Sequence, residues 1–114
     1  MSVATEVAWS ALAEESRRRL LDELLARGGA SASALALVVP ISRQAIAKHL
    51  AVLAEAGLLE AAREGRELRY SVRAEELTSA AEGIVASLDQ WRRRLRALKS
   101  VAEAAHRASG AGSA

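Results

Sequence analysis

Between Ser42 and His49 the chain carries a hydroxyl, a guanidinium, a carboxamide, an ammonium and an imidazole, and no carboxylate. Arg43 and Lys48 are the only charged residues from 41 to 54. Further on, Arg63, Arg66, Arg69 and Arg73 follow at intervals of 3, 3 and 4 residues. These groups are hydrogen-bond donors, suited to phosphate oxygens and base edges. A guanidinium forks onto guanine or phosphate, and a carboxamide pairs with adenine. The basic set leans the same way, with 14 Arg among 16 Arg plus Lys. Catalysis finds no comparable set. There is no Cys nucleophile, no glycine-rich phosphate loop, no Ser-His-acid grouping and no cluster of carboxylates. An enzyme is not expected.

The first of these groups needs a helix to present it. Ser42 reads as its N-cap, and Ile41 before the cap with Ile46 inside fits a hydrophobic staple. Ile46, Leu50 and Leu53 are spaced i, i+4, i+7 and project within about 60° of one another at 100° per residue. Arg43, Gln44, Ala47, Lys48 and Ala51 spread over about 140° on another face. Small residues at the centre of that face permit close approach to a major groove. The bland alternative is a solvated helix face. Pro40 forces a tight turn just before the helix, since the residue preceding proline is biased out of the helical region. Gly57 closes the helix. Upstream, Ser31 caps a short helix over 32–38. Residues 15–27 form another, with Leu20, Leu21, Leu24 and Leu25 on one stripe, acids leading, and Gly28-Gly29 as the stop. A first short helix spans 5–13.

The second group needs a hairpin. Leu68, Tyr70 and Val72 alternate with polar residues, and Gly65 is the only turn residue available. A Glu64-Gly65 loop pairs Ala61 with Leu68 and Glu60 with Arg69. A Gly65-Arg66 loop sets Glu64 against Glu67. Cross-strand charge favours the first. Contact of Arg63 and Arg66 with phosphates at the tip competes with simple solvation of a charged hairpin, and Glu60 competes for Arg69.

Residues 74–105 form a long closing helix. Leu77, Ala81, Ile84, Leu88, Trp91, Leu95, Leu98 and Ala102 are spaced 4, 3, 4, 3, 4, 3, 4, the seam of a helix that packs lengthwise on a partner. The polar tail 106–114 is expected to be disordered. With 114 residues, 27 Ala, 16 Leu and one Pro, the chain reads as a single, mainly helical domain over 1–105. Its core lacks Phe, and dimerisation is a natural supplement to so small an interior. No secretory signal or membrane span is visible, so a cytoplasmic protein is expected.

The stretches LAEESRRRLLDELL (12–25), ISRQAIAKHLAVLAEAGLLEAAREGRELRYSV (41–72) and the long last helix resemble ArsR-type winged helix-turn-helix repressors. The resemblance covers about residues 8–100. It implies a mainly α fold with a small β-hairpin wing, dimerising through its terminal helices. It further implies a homodimeric repressor on a pseudo-palindromic double-stranded DNA operator. By position, Ser42, Arg43, Gln44, Ala45, Lys48 and His49 fall on the reading helix, and Arg63, Arg66 and Arg69 on the wing. Trp9, Leu12, Ile84, Leu88, Trp91, Leu95 and Leu98 fall at the dimer interface. The chain departs from the family's metal sensors. SASALALVV (31–39) stands where they keep a Cys pair, and Asp89 is followed by Trp91 where others carry Asp and His ligands. No metal and no cofactor are expected. The WRRRLRALK segment (91–99) is similar to that of a metal-independent subset.

Other residues have two readings. His49 is a packing or phosphate-bonding side chain, or else a pH-responsive one. His106 is a solvent-exposed side chain at the helix end. The run Arg92, Arg93, Arg94 and Arg96 is a solvated face or an interaction surface. Trp91 is a packing residue or the wall of an effector pocket. For the chain as a whole, a protein-interaction module built on the helix 77–102, antitoxin- or scaffold-like, is the alternative. A sensor gated by a small-molecule effector is a third.

Overall fold

The structure, a computed structural model, describes residues 2–112. The order is α1 (Val3–Leu12), α2 (Glu15–Arg27), β1 (Ala30–Ser31), α3 (Ala32–Ala36), α4 (Arg43–Glu55), β2 (Leu59–Glu64), β3 (Glu67–Val72) and α5 (Ala74–Gly112). The strands form one antiparallel sheet in the order β1-β3-β2. The mainly helical fold with a hairpin wing is as expected.

One interior holds these elements together. Leu20 and Leu24 of α2, Leu35 of α3, Ile46, Leu50 and Leu53 of α4, and Leu58 are fully buried. The stripe at i, i+4, i+7 on α4 is thus its core face, and truncating Leu50 to Ala should cost about 2–5 kcal/mol. Close packing elsewhere relies on small residues. Ala8 and Ala11 of α1 and Ala80 of α5 are buried. At the α1–α5 crossing, a Cβ on Gly83 would lie 2.7 Å from Thr5 Oγ1.

Helix ends follow local chemistry. Ser42 Oγ accepts from the Ala45 N–H at 3.1 Å, and Ser31 Oγ accepts from Ala34 N–H at 3.2 Å. Past α4, Gly57 adopts φ +81. Its N–H donates to Ala54 O, while Leu58 N–H donates back to Leu53 O, both at 3.0 Å. This pair of bonds is a Schellman stop. Arg17 and Arg18 open α2, where positive charge is unfavourable for the helix dipole. They serve α1 instead. Arg17 Nε donates to Ala11 O at 2.6 Å and Arg18 Nη1 to Leu12 O at 2.8 Å, closing the carbonyl end of that helix.

Two expectations need correction, and one element was not foreseen. The hairpin pairs Glu64 with Glu67 and Arg63 with Leu68, so Gly65-Arg66 is the loop. Gly65 has φ +64, and no other residue type among those described takes positive φ. Glycine at the first loop position suits a type II′ turn, whereas a Glu64-Gly65 loop would put a Glu side chain in that left-handed position. Backbone strain outweighs the repulsion of two exposed, solvated carboxylates. Secondly, β1 is a strand that periodicity could not reveal, because it has two residues. Thirdly, α5 continues through residue 112, so the described part of the 106–114 tail is helical. Residues 113 and 114 lie outside the described residues. The 39 residues of α5 span about 58 Å at 1.5 Å each, and the molecule is 79 Å long.

Candidate nucleic-acid interface

The core stripe of α4 fixes which side chains face outward. Ser42, Arg43, Gln44, Ala47, Lys48 and Ala51 are exposed. Ala45 and His49 are half-buried. His49 Nδ1 lies 3.6 Å from Glu14 Oε2, turned toward the start of α2 and away from the outward strip. Glu14 is itself the N-cap of α2 and accepts from the Arg17 N–H at 3.2 Å. Desolvation pushes its carboxyl pKa up. The backbone N–H groups of Ser16 and Arg17, with the charges of His49 and Arg17, outweigh that and hold it below the ordinary 4.5.

The wing comes to the same side. Arg66 sits in the two-residue turn, and Arg63 one pair below it. Between wing and α4 lies a concavity of about 290 Å³, lined by Arg43 and Ala47 from the helix, Arg63, Arg66, Glu67, Leu68 and Tyr70 from the hairpin, and 31–33 from β1 and α3. Three arginines therefore line one groove. Glu67 is its acid, 4.0 Å from Arg43. An exposed pair at that distance is worth little and leaves the guanidinium available. Periodicity had not singled out Ser33 or Glu67. They enter the groove because β1 and the hairpin register place them there.

Arg69 is not brought to this groove. Its Nη2 donates to Gly28 O at 3.4 Å and its Nε lies 4.0 Å from Glu64. It packs so closely that a Cβ on Gly29 would meet it at 3.0 Å. Arg73 is engaged as well. Its N–H donates to Leu58 O at 2.9 Å, and its Nη1 reaches Gly57 O at 3.5 Å. Both arginines tie the hairpin to the body.

The residues expected at the dimer interface divide in two. Leu12 packs against the chain's own core, and Trp9 and Ile84 are half-buried. Leu88, Trp91, Leu95 and Leu98 are 41%, 54%, 58% and 65% exposed. Arg94 lies over the Trp91 ring at 5.5 Å. Among the described residues no group of three or more His, Cys, Asp or Glu is gathered as a metal site would require.

A capped helix held beyond a tight turn, with an antiparallel hairpin beside it, defines a winged helix-turn-helix domain. A family model described as a helix-turn-helix domain matches residues 12–61. The chain is 41% identical over 64 residues to the uncharacterized HTH-type transcriptional regulator YuzN of Bacillus subtilis (strain 168), covering 51% of this chain and 70% of that one. It is similar to the solved ArsR-like transcriptional regulator from Rhodococcus sp. RHA1, with 42% identity, a TM-score of 0.67, and coverage of 86% of this chain and 92% of that one. It also resembles the homodimeric winged helix-turn-helix DNA-binding domain of a Mycobacterium bovis protein, with 26% identity, a TM-score of 0.61, and coverage of 76% and 80%. The chain belongs to the ArsR family of DNA-binding, winged helix-turn-helix transcriptional regulators.

Proposed function

We propose that the protein is a homodimeric repressor of the cytoplasm that binds a pseudo-palindromic operator, without metal at the positions the family's sensors use and without catalysis of its own. The observation that carries this reading is the outward strip of α4 beside the wing. Arg43, Gln44 and Lys48 surround two exposed alanines, and Arg63 and Arg66 face the same groove. In a major groove Arg43 and Gln44 are the base readers, the alanine methyls meet thymine methyls, and the wing arginines hold phosphates. Two copies give the two-fold symmetry that a palindrome mirrors. The exposed seam of α5 supports pairing, and the M. bovis relative is a homodimer. Occupying promoter DNA represses without further machinery. The donor chemistry supports metal independence, since 31–39 offers only hydroxyls and metal sites need several ligands in fixed geometry.

Selection of bound duplexes from random DNA tests the reading. The expected result is a two-fold symmetric motif whose binding weakens steeply with salt. Recovery of no motif, together with a heteromeric protein complex in pull-downs, would favour the interaction-module alternative.

A further inference from the structure

Among the described residues lining the groove between α4 and the wing, Glu67 is the only acid, set with Arg43, Arg63 and Arg66. A carboxylate there repels phosphate and costs a DNA interface affinity. It also stands directly opposite Glu64 across the hairpin, a like-charge pair that cross-strand energetics disfavour. Places where a local rule is broken are where function is expected. The two acids face different arginines. Glu64 lies 4.0 Å from Arg69, which ties the hairpin to the body, and Glu67 Oε1 lies 4.0 Å from Arg43 Nη2. Arg43 opens α4, and the first turn of that helix holds no acid. A cation at a helix start is unfavourable, and the carboxylate that answers it comes from the wing.

We propose that Glu67 is a positioning residue for base reading. It holds one edge of the Arg43 guanidinium and so aims the other edge at a base instead of a phosphate. This rests on the DNA-binding mode proposed above and adds what sets the aim of one of its readers. The Arg43 side chain is 67% exposed and that of Glu67 46%, so in the free chain the pair is loose and worth little. A duplex lodged against α4 displaces the water around the pair, and the attraction grows as the local dielectric falls. A guanidinium is planar, with donors on more than one edge. With one edge on the carboxylate, the remaining N–H groups keep a fixed plane in which to fork onto guanine O6 and N7. Without the carboxylate, the long stem lets the charge settle on any phosphate within reach, a contact that carries no sequence information.

Substitution within one half-site tests this. A duplex selected by the wild type is changed at one base pair of one half-site at a time. Binding is measured for the wild type, Arg43→Ala, Glu67→Ala and the double variant, with melting temperatures on all four. Glu67 is exposed, so Glu67→Ala should melt like the wild type. It should lower discrimination about fivefold at the base pair where Arg43→Ala also loses it, as expected for groups in one charge network. It should tighten binding to scrambled DNA, and it should change discrimination no further once Arg43 is already Ala. Unchanged discrimination in Glu67→Ala, where Arg43→Ala loses it, would overturn the inference and leave the DNA-binding reading intact. Loss at a different base pair that persists in the double variant would mean that Glu67 meets a base itself, a cytosine amino group being the matching donor. That result would also overturn the positioning role. Equal weakening on every duplex with a lowered melting temperature would reduce Glu67 to a structural residue. Failure of the wild type to select any duplex would remove the DNA-binding reading and this inference with it.

Discussion

At the residue scale, the arginines sort by what their guanidiniums touch. Arg17, Arg18, Arg69 and Arg73 spend theirs on backbone carbonyls of their own chain. Arg43, Arg63 and Arg66 face the groove. Composition could not separate these groups, because the separation depends on which carbonyl lies within reach. Arg43→Ala and Gln44→Ala should each cost about 1–3 kcal/mol per half-site of the preferred duplex and relax its sequence. Arg66→Ala should weaken all duplexes alike and lower the salt slope by about 1 per protomer, about 2 for the dimer. Parallel binding isotherms on cognate and scrambled DNA check this, and a change in base preference with Arg66→Ala would contradict the wing's role. Glu14 gives a prediction in pH. Its folded pKa is depressed, so its charge adds stability above the ordinary carboxylate pKa, and that part is lost as pH falls through the lower folded value. Urea midpoints should therefore separate wild type from Glu14→Gln at neutral pH and converge in acid. A gap that widened on acidification would contradict the assignment.

At the element scale, most of the architecture was legible because periodicity and caps agree. The bounds of α2 and the Ser42 cap of α4 follow from leucine spacing, a glycine stop and a hydroxyl before a core stripe. The hairpin's existence was legible and its register was not. Cross-strand charge pointed one way, and the left-handed backbone at Gly65 decided the other. Gly83 lies inside α5, where glycine is a weak helix former. Thr5 of α1 comes so near that a Cβ there would lie 2.7 Å from its Oγ1, which a local pattern cannot disclose. Alanine there gains about 1 kcal/mol of helix propensity and meets Thr5, with overpacking costing about 1–3 kcal/mol. Gly83→Ala should thus lower the melting temperature, and combining it with Thr5→Ala should turn the effect toward neutral or stabilising. A single Gly83→Ala variant more stable than wild type would contradict the tight crossing.

At the scale of the whole molecule, α4 and the wing lie on the body, while the exposed seam continues along a helix of 39 residues. Pairing through that helix would fix two reading surfaces on one rigid frame, so dimerisation and operator binding should fail together. Leu95→Asp tests this without disturbing the monomer, since Leu95 is exposed in the single chain. Burying two unpaired carboxylates should weaken the dimer about a hundredfold or more. Sedimentation should then show monomers with helical circular dichroism intact and operator binding lost. Tight operator binding by a Leu95→Asp monomer would contradict the coupling.

In the proposed complex the outward strip of α4 enters the major groove twice per assembly. Guanine N7 lies in that groove, so methylation protection on a selected duplex reads the contact directly. Two protected patches about one helical turn apart are expected, with protection at the guanine facing Arg43 lost in Arg43→Ala. A single patch, or specific binding with every guanine N7 left reactive, would contradict it.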